Sequence, residues 1–200
     1  MNDLFKEKAQ NWDANESRKQ MSQGIGACIL ENVQFNPQMQ VMDFGAGTGL
    51  IASQVAPLVS KITAVDVSES MLEKLVSKIE LKEKVEILCQ DLTLNPNGKQ
   101  YDLIMSAMAM HHVEDTENLV ITFANHLKSG GKVALADLDT EDGKFHTPPS
   151  EGVFHHGFDR IVLGELFLKH GFKNVKFETA YTAKRENGDY PIFLLLAEKS

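Results

Sequence analysis

The chain has 200 residues, of which 42% are hydrophobic and 24% charged, a composition typical of one ordinary globular domain. The net charge of −8 argues against a nucleic-acid partner, which would need a basic face for phosphate contacts. No stretch approaches the roughly 18 apolar residues of a membrane span, and the N-terminus lacks an apolar signal core. Two distant cysteines, Cys28 and Cys89, are expected to be buried reduced thiols, so we predict a cytoplasmic protein with no membrane partner.

The first 35 residues are predicted to form an N-terminal helical arm or lid, outside the main α/β pattern. Residues 3–15 are mostly polar but carry the large apolar side chains of Phe5 and Trp12. Such a segment can fold over a ligand, or it can pack as a helix on the outside of the sheet. A second helix is predicted over Ser17–Val33, where apolar residues recur at helical spacing. The sequence carries no signal for the oligomeric state.

From residue 36 to residue 200 the pattern alternates between strands and helices. Strands are predicted at Gln40–Phe44, Lys61–Val65, Val85–Cys89, Tyr101–Ser106, Lys132–Asp137, Asn174–Thr182 and Tyr190–Glu198. Helices are predicted at Thr48–Leu58, after the N-cap Ser68, at Thr116–Leu127 before Gly130-Gly131, and at Asp159–His170. This order predicts a single α/β domain with a mostly parallel sheet, helices on both faces and one antiparallel strand at the end. A long loop, 139–158, is expected to be functional or disordered.

The stretch QVMDFGAGTG, residues 40–49, predicts a buried strand followed by a glycine-rich turn that binds a ligand. Gly45, Gly47 and Gly49 allow a ligand to approach the backbone without interference from Cβ atoms. A dinucleotide fingerprint has the form G-x-G-x-x-G, but Leu50 stands where the third glycine would be. The preceding Asp43 also disfavours a pyrophosphate. The turn therefore favours a cationic or amino-acid-bearing ligand.

Two more acids follow the next two predicted strands. Asp66 stands where open α/β folds bind a ribose diol through a carboxylate, and Asp91 stands where a carboxylate can accept a hydrogen bond from an exocyclic amine. With Asp43, they would form one rim at the carboxyl edge of the sheet. The alternative for each is a purely structural cap on the next helix.

These motifs resemble those of the class I S-adenosylmethionine-dependent methyltransferases. The similar segments are VMDFGAGTG, ITAVDVSESML, CQDL, YDLIMSAMAMHHV and SGGKVALADL. The HHV element and the position of the long loop look most like the small-molecule branch, which includes quinone-biosynthesis methyltransferases. The resemblance implies a Rossmann-like, seven-stranded sheet in the order 3-2-1-4-5-7-6 with strand 7 antiparallel. It also implies S-adenosylmethionine as cofactor and a small organic molecule as methyl acceptor.

The resemblance also assigns roles to particular residues. Asp43 and the backbone of Gly45, Ala46, Gly47 and Gly49 would hold the methionine part of the cofactor. Asp66 would bind the ribose hydroxyls, Val67 and Met71 would pack on the adenine, and Asp91 with the Leu92 backbone N–H would contact its edge. Ser106 and the neighbouring backbone at the end of the fourth strand would face the methionine part and the reacting sulfonium.

A methyltransferase needs a general base only if the acceptor must lose a proton. We predict His111 and His112 as catalytic residues because they follow the fourth strand at the ligand-binding edge. The loop histidines, His146, His155 and His156, are further candidates. A structural role for His111 and His112, with one bound to a loop and the other exposed, is the alternative. No spacing among the loop acids and histidines matches a metal-ligand motif, so no metal site is predicted.

Three other functions stay open at this point. They are a non-catalytic S-adenosylmethionine-binding regulator, a methyltransferase that acts on a modified tRNA base, and a nicotinamide-dependent oxidoreductase. Leu50 in the glycine-rich turn argues against the oxidoreductase, and the acidic charge argues against a tRNA substrate. The segment SAMAM stands where enzymes that methylate amide or exocyclic amine nitrogens carry an Asn/Asp-Pro-Pro-Tyr element, which argues against such substrates.

Overall fold

The computed structural model describes residues 3–146 and 151–200. Residues 147–150, which belong to the predicted long loop, and residues 1–2 of the N-terminal arm lie outside the described residues.

The described residues form a seven-stranded sheet in the order β3-β2-β1-β4-β5-β7-β6. The strands are β1 (Gln40–Phe44), β2 (Lys61–Asp66), β3 (Val85–Cys89), β4 (Tyr101–Ala107), β5 (Leu127–Leu138), β6 (Phe172–Arg185) and β7 (Gly188–Lys199). Neighbouring strands from β3 to β5 are parallel, whereas β7 is antiparallel to both β5 and β6. The predicted fold class, strand order and antiparallel final strand are confirmed.

Six α-helices surround this sheet in the described part of the chain. They are α1 (Lys6–Ala9), α2 (Glu16–Asn32), α3 (Ala52–Val55), α4 (Glu69–Val76), α5 (Thr116–His126) and α6 (Arg160–Lys169). The predicted N-cap at Ser68 is confirmed, because its hydroxyl accepts a hydrogen bond from the Met71 N–H. Asp159 caps α6 in the same way by accepting from the N–H groups of Ile161 and Val162.

The buried core consists of two layers, one on each face of the sheet. Strand β7 shows how one strand contributes to both layers, because its successive side chains point to opposite faces. Ile192 and Leu194 pack in the layer that contains α2, α3 and α4, whereas Phe193 and Leu195 pack with α5 and α6. A strand that is apolar on both faces is expected at the centre of a sheet covered on both sides.

Two predicted element boundaries are wrong, and glycine conformation explains both. Helix α3 begins at Ala52 instead of Thr48, since Gly49 has φ = +79° and cannot belong to a right-handed helix. Gly130-Gly131 lies inside β5, which begins directly after α5, whereas the prediction placed this pair between the two elements. Gly130 has φ = +73° near the irregular start of the β4–β5 pairing.

The prediction that both cysteines are buried is also wrong. Cys28 is half-buried and Cys89 is exposed, and both are free thiols. Cys89 is exposed because β3 is an edge strand. Among the described helices, none combines the length and apolarity that crossing a bilayer requires.

Candidate active site

A cavity of about 880 Å³ lies at the carboxyl ends of the central parallel strands. Its wall is formed by the turn after β1, the ends of β2 and β4, the N-terminal arm, and residues of the segments between β5 and α6 and at the end of β6. This is the edge where open α/β sheets bind ligands.

The glycine turn that follows β1 is fixed to β2 by backbone hydrogen bonds. The N–H groups of Gly45 and Ala46 both donate to the Val65 carbonyl, at 2.8 and 3.0 Å. Gly45 has φ = +67°, and a Cβ atom there would lie 2.2 Å from the Cβ of Ala109. A Cβ on Gly47 would meet no atom within 4 Å, so this side of the turn is open. The turn therefore presents bare backbone to the cavity, as predicted from its glycines.

Asp66 joins the end of β2 to the glycine turn and to α4. One of its carboxylate oxygens accepts from the Gly47 N–H at 2.7 Å, and the other accepts from the Ser68 N–H at 2.9 Å. Burial raises the pKa of Asp66, although these hydrogen bonds act in the opposite direction. Val67 and Met71 also line the cavity, so the predicted ribose and adenine residues lie together.

Asp43 is a buried carboxyl group at the cavity wall that has an unused acceptor atom. Its Oδ2 has no hydrogen-bond partner among the described residues. Burial and the nearby Asp66 raise the pKa of Asp43 to about 8, so the group is mostly protonated at neutral pH in the free protein. A buried polar atom without a partner is costly, and a cationic donor in the cavity would remove that cost.

Three of the residues predicted to bind the cofactor, Gly49, Leu92 and Ser106, are not part of the cavity lining. Gly49 packs instead against α4, where an added Cβ would lie 2.9 Å from Leu75. Leu92 is fully buried in the core. The Ser106 hydroxyl donates to the Phe44 carbonyl at 2.8 Å inside the sheet. The lining at the end of β4 is formed instead by Ala107, Met108 and Ala109, while the predicted Asp91 does line the cavity.

His111 forms a buried pair with Asp137. Its Nδ1 lies 2.7 Å from Asp137 Oδ1, its backbone N–H donates to Asp137 Oδ2 at 3.2 Å, and both side chains are at most 1% exposed. With Nδ1–H donating to the carboxylate, Nε2 is the ring nitrogen left for a ligand. Nε2 has no partner among the described residues, and His111 lines the cavity. This is the geometry of an oriented general base.

Two further histidines, His112 and His146, lie beside His111 in the cavity wall. The ring centroid of His111 is 4.2 Å from that of His112 and 5.0 Å from that of His146. Burial, followed by the neighbouring His111, lowers the pKa of each to about 4, so both rings are neutral at pH 7. His155 and His156, which were also predicted as candidates, lie outside the cavity lining. Within residues 3–146 and 151–200, no side chains are arranged as a metal site.

The N-terminal arm covers one side of the cavity and is tied to the cofactor-binding elements. Asp3 accepts hydrogen bonds from the Ser68 hydroxyl at 2.7 Å and from the Ser70 N–H at 3.1 Å. Asp13 accepts from the Thr48 hydroxyl at 2.5 Å. Phe5 and Trp12 line the cavity, and the Phe5 ring meets His112 edge-on at 5.5 Å. The large apolar residues of the arm thus face the cavity and not the outside of the sheet.

Sequence reasoning missed two arginines that also line this cavity, Arg18 in α2 and Arg185 in β6. The Arg18 guanidinium stacks over Trp12, with 4.1 Å between its Cζ and the ring centroid. Burial and the nearby Arg185 lower the pKa of Arg18. Neither arginine lies in a recognisable motif, so no local signal in the sequence pointed to them.

Comparisons with known proteins agree with this geometry. A family described as "Methyltransferase domain" matches residues 41–131. An uncharacterised methyltransferase of Schizosaccharomyces pombe is 32% identical over 157 residues, covering 69% of this chain and 55% of that protein. A ubiquinone biosynthesis O-methyltransferase of Rickettsia typhi is 25% identical over 116 residues, covering 56% of this chain and 47% of that protein. The chain thus spans about half the length of these two relatives.

The fold is shared with solved structures at low sequence identity. The YcgJ protein of Bacillus subtilis superposes with a TM-score of 0.72 at 17% identity, over 88% of this chain and 98% of that one. The family match, the related sequences and the shared strand order confirm the predicted family, and with it the predicted cofactor. The chain belongs to the class I S-adenosylmethionine-dependent methyltransferases.

Proposed function

We propose that this enzyme transfers a methyl group from S-adenosylmethionine to a small organic acceptor that loses a proton in the reaction. The observation that carries this proposal is the His111–Asp137 pair: His111 lines the same cavity as Asp43 and Asp66, and its Nε2 has no partner among the described residues. A regulator that only binds the cofactor would have no need for a buried, oriented base there.

The cavity residues fit the chemical groups of the cofactor. Asp66, Val67 and Asp91 line one cavity with the glycine turn, which supports ribose binding by the Asp66 carboxylate and adenine binding by Asp91. The unpartnered Oδ2 of Asp43 suits the ammonium group of the methionine part. Arg18 would pair with the carboxylate of the same part, because α2 and Trp12 hold its guanidinium in the cavity wall.

The protein's contribution to the chemistry is alignment, exclusion of water and proton transfer. S-adenosylmethionine supplies a methyl group that is already activated on a sulfonium. His111 Nε2 would accept the proton of the acceptor, while Asp137 fixes the tautomer and stabilises the resulting imidazolium. His112 and His146 are neutral at pH 7 and therefore do not repel a cationic sulfonium. Phe5 and Trp12 would exclude water on the side of the cavity that the N-terminal arm covers.

The acceptor class is supported by two observations. The relative in ubiquinone biosynthesis is an O-methyltransferase, and a hydroxyl group with an acidic proton would use the base described above. The net charge of −8 does not favour a tRNA substrate. A cytoplasmic location remains a prediction.

The cofactor assignment predicts a specific binding pattern in calorimetry. S-adenosylhomocysteine should bind and NAD should not. Asp66→Ala should weaken S-adenosylhomocysteine binding by about 1.5–3 kcal/mol, because charge-assisted hydrogen bonds to the ligand are lost. Asp142→Ala, which removes an exposed carboxylate from the loop after β5, is the matched control and should not change the affinity. Since Asp66 also holds the Gly47 N–H, circular dichroism must show that the variant is folded. NAD binding to the wild type would contradict the assignment.

Asp43 predicts a pH dependence of cofactor binding. With a pKa of about 8, this group is protonated at pH 7 and must lose its proton before it can pair with an ammonium group. Affinity should therefore rise as the pH approaches 8 and level off above it, and binding at pH 7 should release close to one proton. Calorimetry in two buffers with different ionisation enthalpies measures this release, which Asp43→Asn should abolish. Binding by the wild type without proton release would exclude the pairing.

The arm is proposed to act as a lid over the cofactor. Removal of residues 1–15 deletes Phe5, Trp12 and the hydrogen bonds of Asp3 and Asp13, and should weaken S-adenosylhomocysteine binding by about tenfold or more. Near-ultraviolet circular dichroism should confirm that the α/β core stays folded. If the shortened protein keeps its cofactor affinity and turnover, the arm is not a lid.

Turnover separates an enzyme from a binding regulator. Methyl-labelled S-adenosylmethionine incubated with the protein and a small-molecule cell extract should yield a labelled product. His111→Gln should lower this rate by about 10²–10⁴-fold while leaving S-adenosylhomocysteine affinity unchanged. His170→Gln, which changes a histidine outside the cavity lining, serves as the control. Binding of the cofactor without any labelled product would favour the regulator, and full activity of His111→Gln would exclude the base.

A further inference from the structure

Arg185 is a cation held in place at the rim of the cavity. Its Nη1 donates to the Phe145 carbonyl at 2.8 Å, and its Cζ lies 3.9 Å from the centroid of the Phe145 ring. The side chain is exposed and lines the cavity, so its remaining N–H donors are available to a ligand. A guanidinium that is stacked and hydrogen-bonded on one side is pre-organised to bind on the other.

The three arginines of the chain differ in how their charge is compensated. Arg160 lies outside the cavity lining and binds Asp139 through two parallel hydrogen bonds of 2.7 and 2.8 Å. Arg18 and Arg185 have no ion pair with an acid among the described residues, although the chain has an excess of acids. They also lie close enough for the charge of Arg185 to lower the pKa of Arg18. Acids line the same cavity, but none of them forms an ion pair with either arginine among the described residues, so the two neighbouring guanidinium groups favour anionic ligands.

The cofactor accounts for only one of these two charges. S-adenosylmethionine carries a single carboxylate, and Arg18 is the arginine on the arm side, stacked on Trp12 next to the Asp13–Thr48 contact with the glycine turn. Arg185 lies instead beside Phe145 and His146. The ring of His146 is 5.0 Å from that of Phe145 and 5.0 Å from that of His111. Two side chains, Phe145 and His146, therefore lie between Arg185 and the proposed base His111.

We propose that the methyl acceptor is an anion whose carboxylate or phosphate group binds Arg185 while its reacting atom lies next to His111. This inference rests on the proposed function and names the class of its substrate. The apolar wall formed by Phe5, Trp12 and Phe145 suits a planar or apolar body between the two ends of such a molecule. The favoured acceptors are small acids, and neutral molecules of the same shape are disfavoured.

Nuclear magnetic resonance of the full chain saturated with S-adenosylhomocysteine tests the proposal directly. The sequence contains only three arginines, so their Nε–H signals report separately on the two cavity residues and on Arg160. The probes are benzoate, phenyl phosphate and the neutral benzamide. Benzoate or phenyl phosphate should shift the Arg185 signal and leave the Arg160 signal unchanged. The anion that binds more tightly shows whether the site prefers a carboxylate or a phosphate. Benzamide should bind at least about tenfold more weakly than the better anion.

Charge-matched variants distinguish the effect of Arg185 on anion binding from the effect of the protein's overall electrostatic field. Arg185→Gln should weaken binding of the better anion by about tenfold or more and leave benzamide unchanged, and Arg185→Lys should restore part of the loss. Lys184→Gln removes the same charge from the adjacent position of β6, outside the cavity lining, and should have no effect. The proposal would be overturned if benzamide bound as tightly as the better anion or if neither anion bound. It would also be overturned if Arg185→Gln and Lys184→Gln weakened anion binding equally.

The outcome of this test is distinguishable from a failure of the proposed function. Probe binding needs no turnover, so an anion that binds Arg185 in a protein without methyltransferase activity supports this site and contradicts only the proposed reaction. Labelled product formed by a protein that binds neither anion contradicts only the assignment of the acceptor.

Discussion

The attachment of the glycine turn to the end of β2 determines where every group of the cavity lies. Two N–H groups of the turn share the Val65 carbonyl, and a third donates to the Asp66 carboxylate. The same carboxylate accepts a hydrogen bond from the N–H of Ser68, the N-cap of α4. One acid thus fixes the turn, the strand end and the helix start relative to one another. Replacing it would disturb the shape of the site as well as its charge.

The parts of this arrangement that the sequence predicted are those with local signals. Each central strand is a short apolar run, and Asp66 and Asp91 stand at or just after the ends of two of them, so the strands and the acidic rim could be inferred from the residues, whereas the sheet order was implied by the family resemblance. The start of α3 was misplaced because helical spacing does not reveal that Gly49 has positive φ. The orientation of the Ser106 hydroxyl could not be predicted, because the end of a strand alone does not show whether a hydroxyl faces a cavity or a neighbouring carbonyl.

The parts that could not be predicted depend on contacts between distant segments. His111 was recognised as a candidate base, but its partner Asp137 is visible only when β4 and β5 lie side by side. Arg18 and Arg185 belong to opposite ends of the chain, and neither has a sequence motif. Their importance follows from their position, since both line the cavity and neither has an ion-pair partner among the described residues, whereas Arg160 outside the cavity is paired with Asp139.

The overall acidity of the chain also bears on how ligands reach the two arginines of the cavity. At distances beyond the Debye length of about 8–10 Å the net charge of −8 is screened, but within it the outer surface repels anions. A large polyanion would lie close to many surface acids at once and be repelled by them. A small monoanion would pass few surface acids before it reaches the two arginines of the cavity. The contrast between the acidic surface and the Arg18–Arg185 pair therefore favours small anions over large ones.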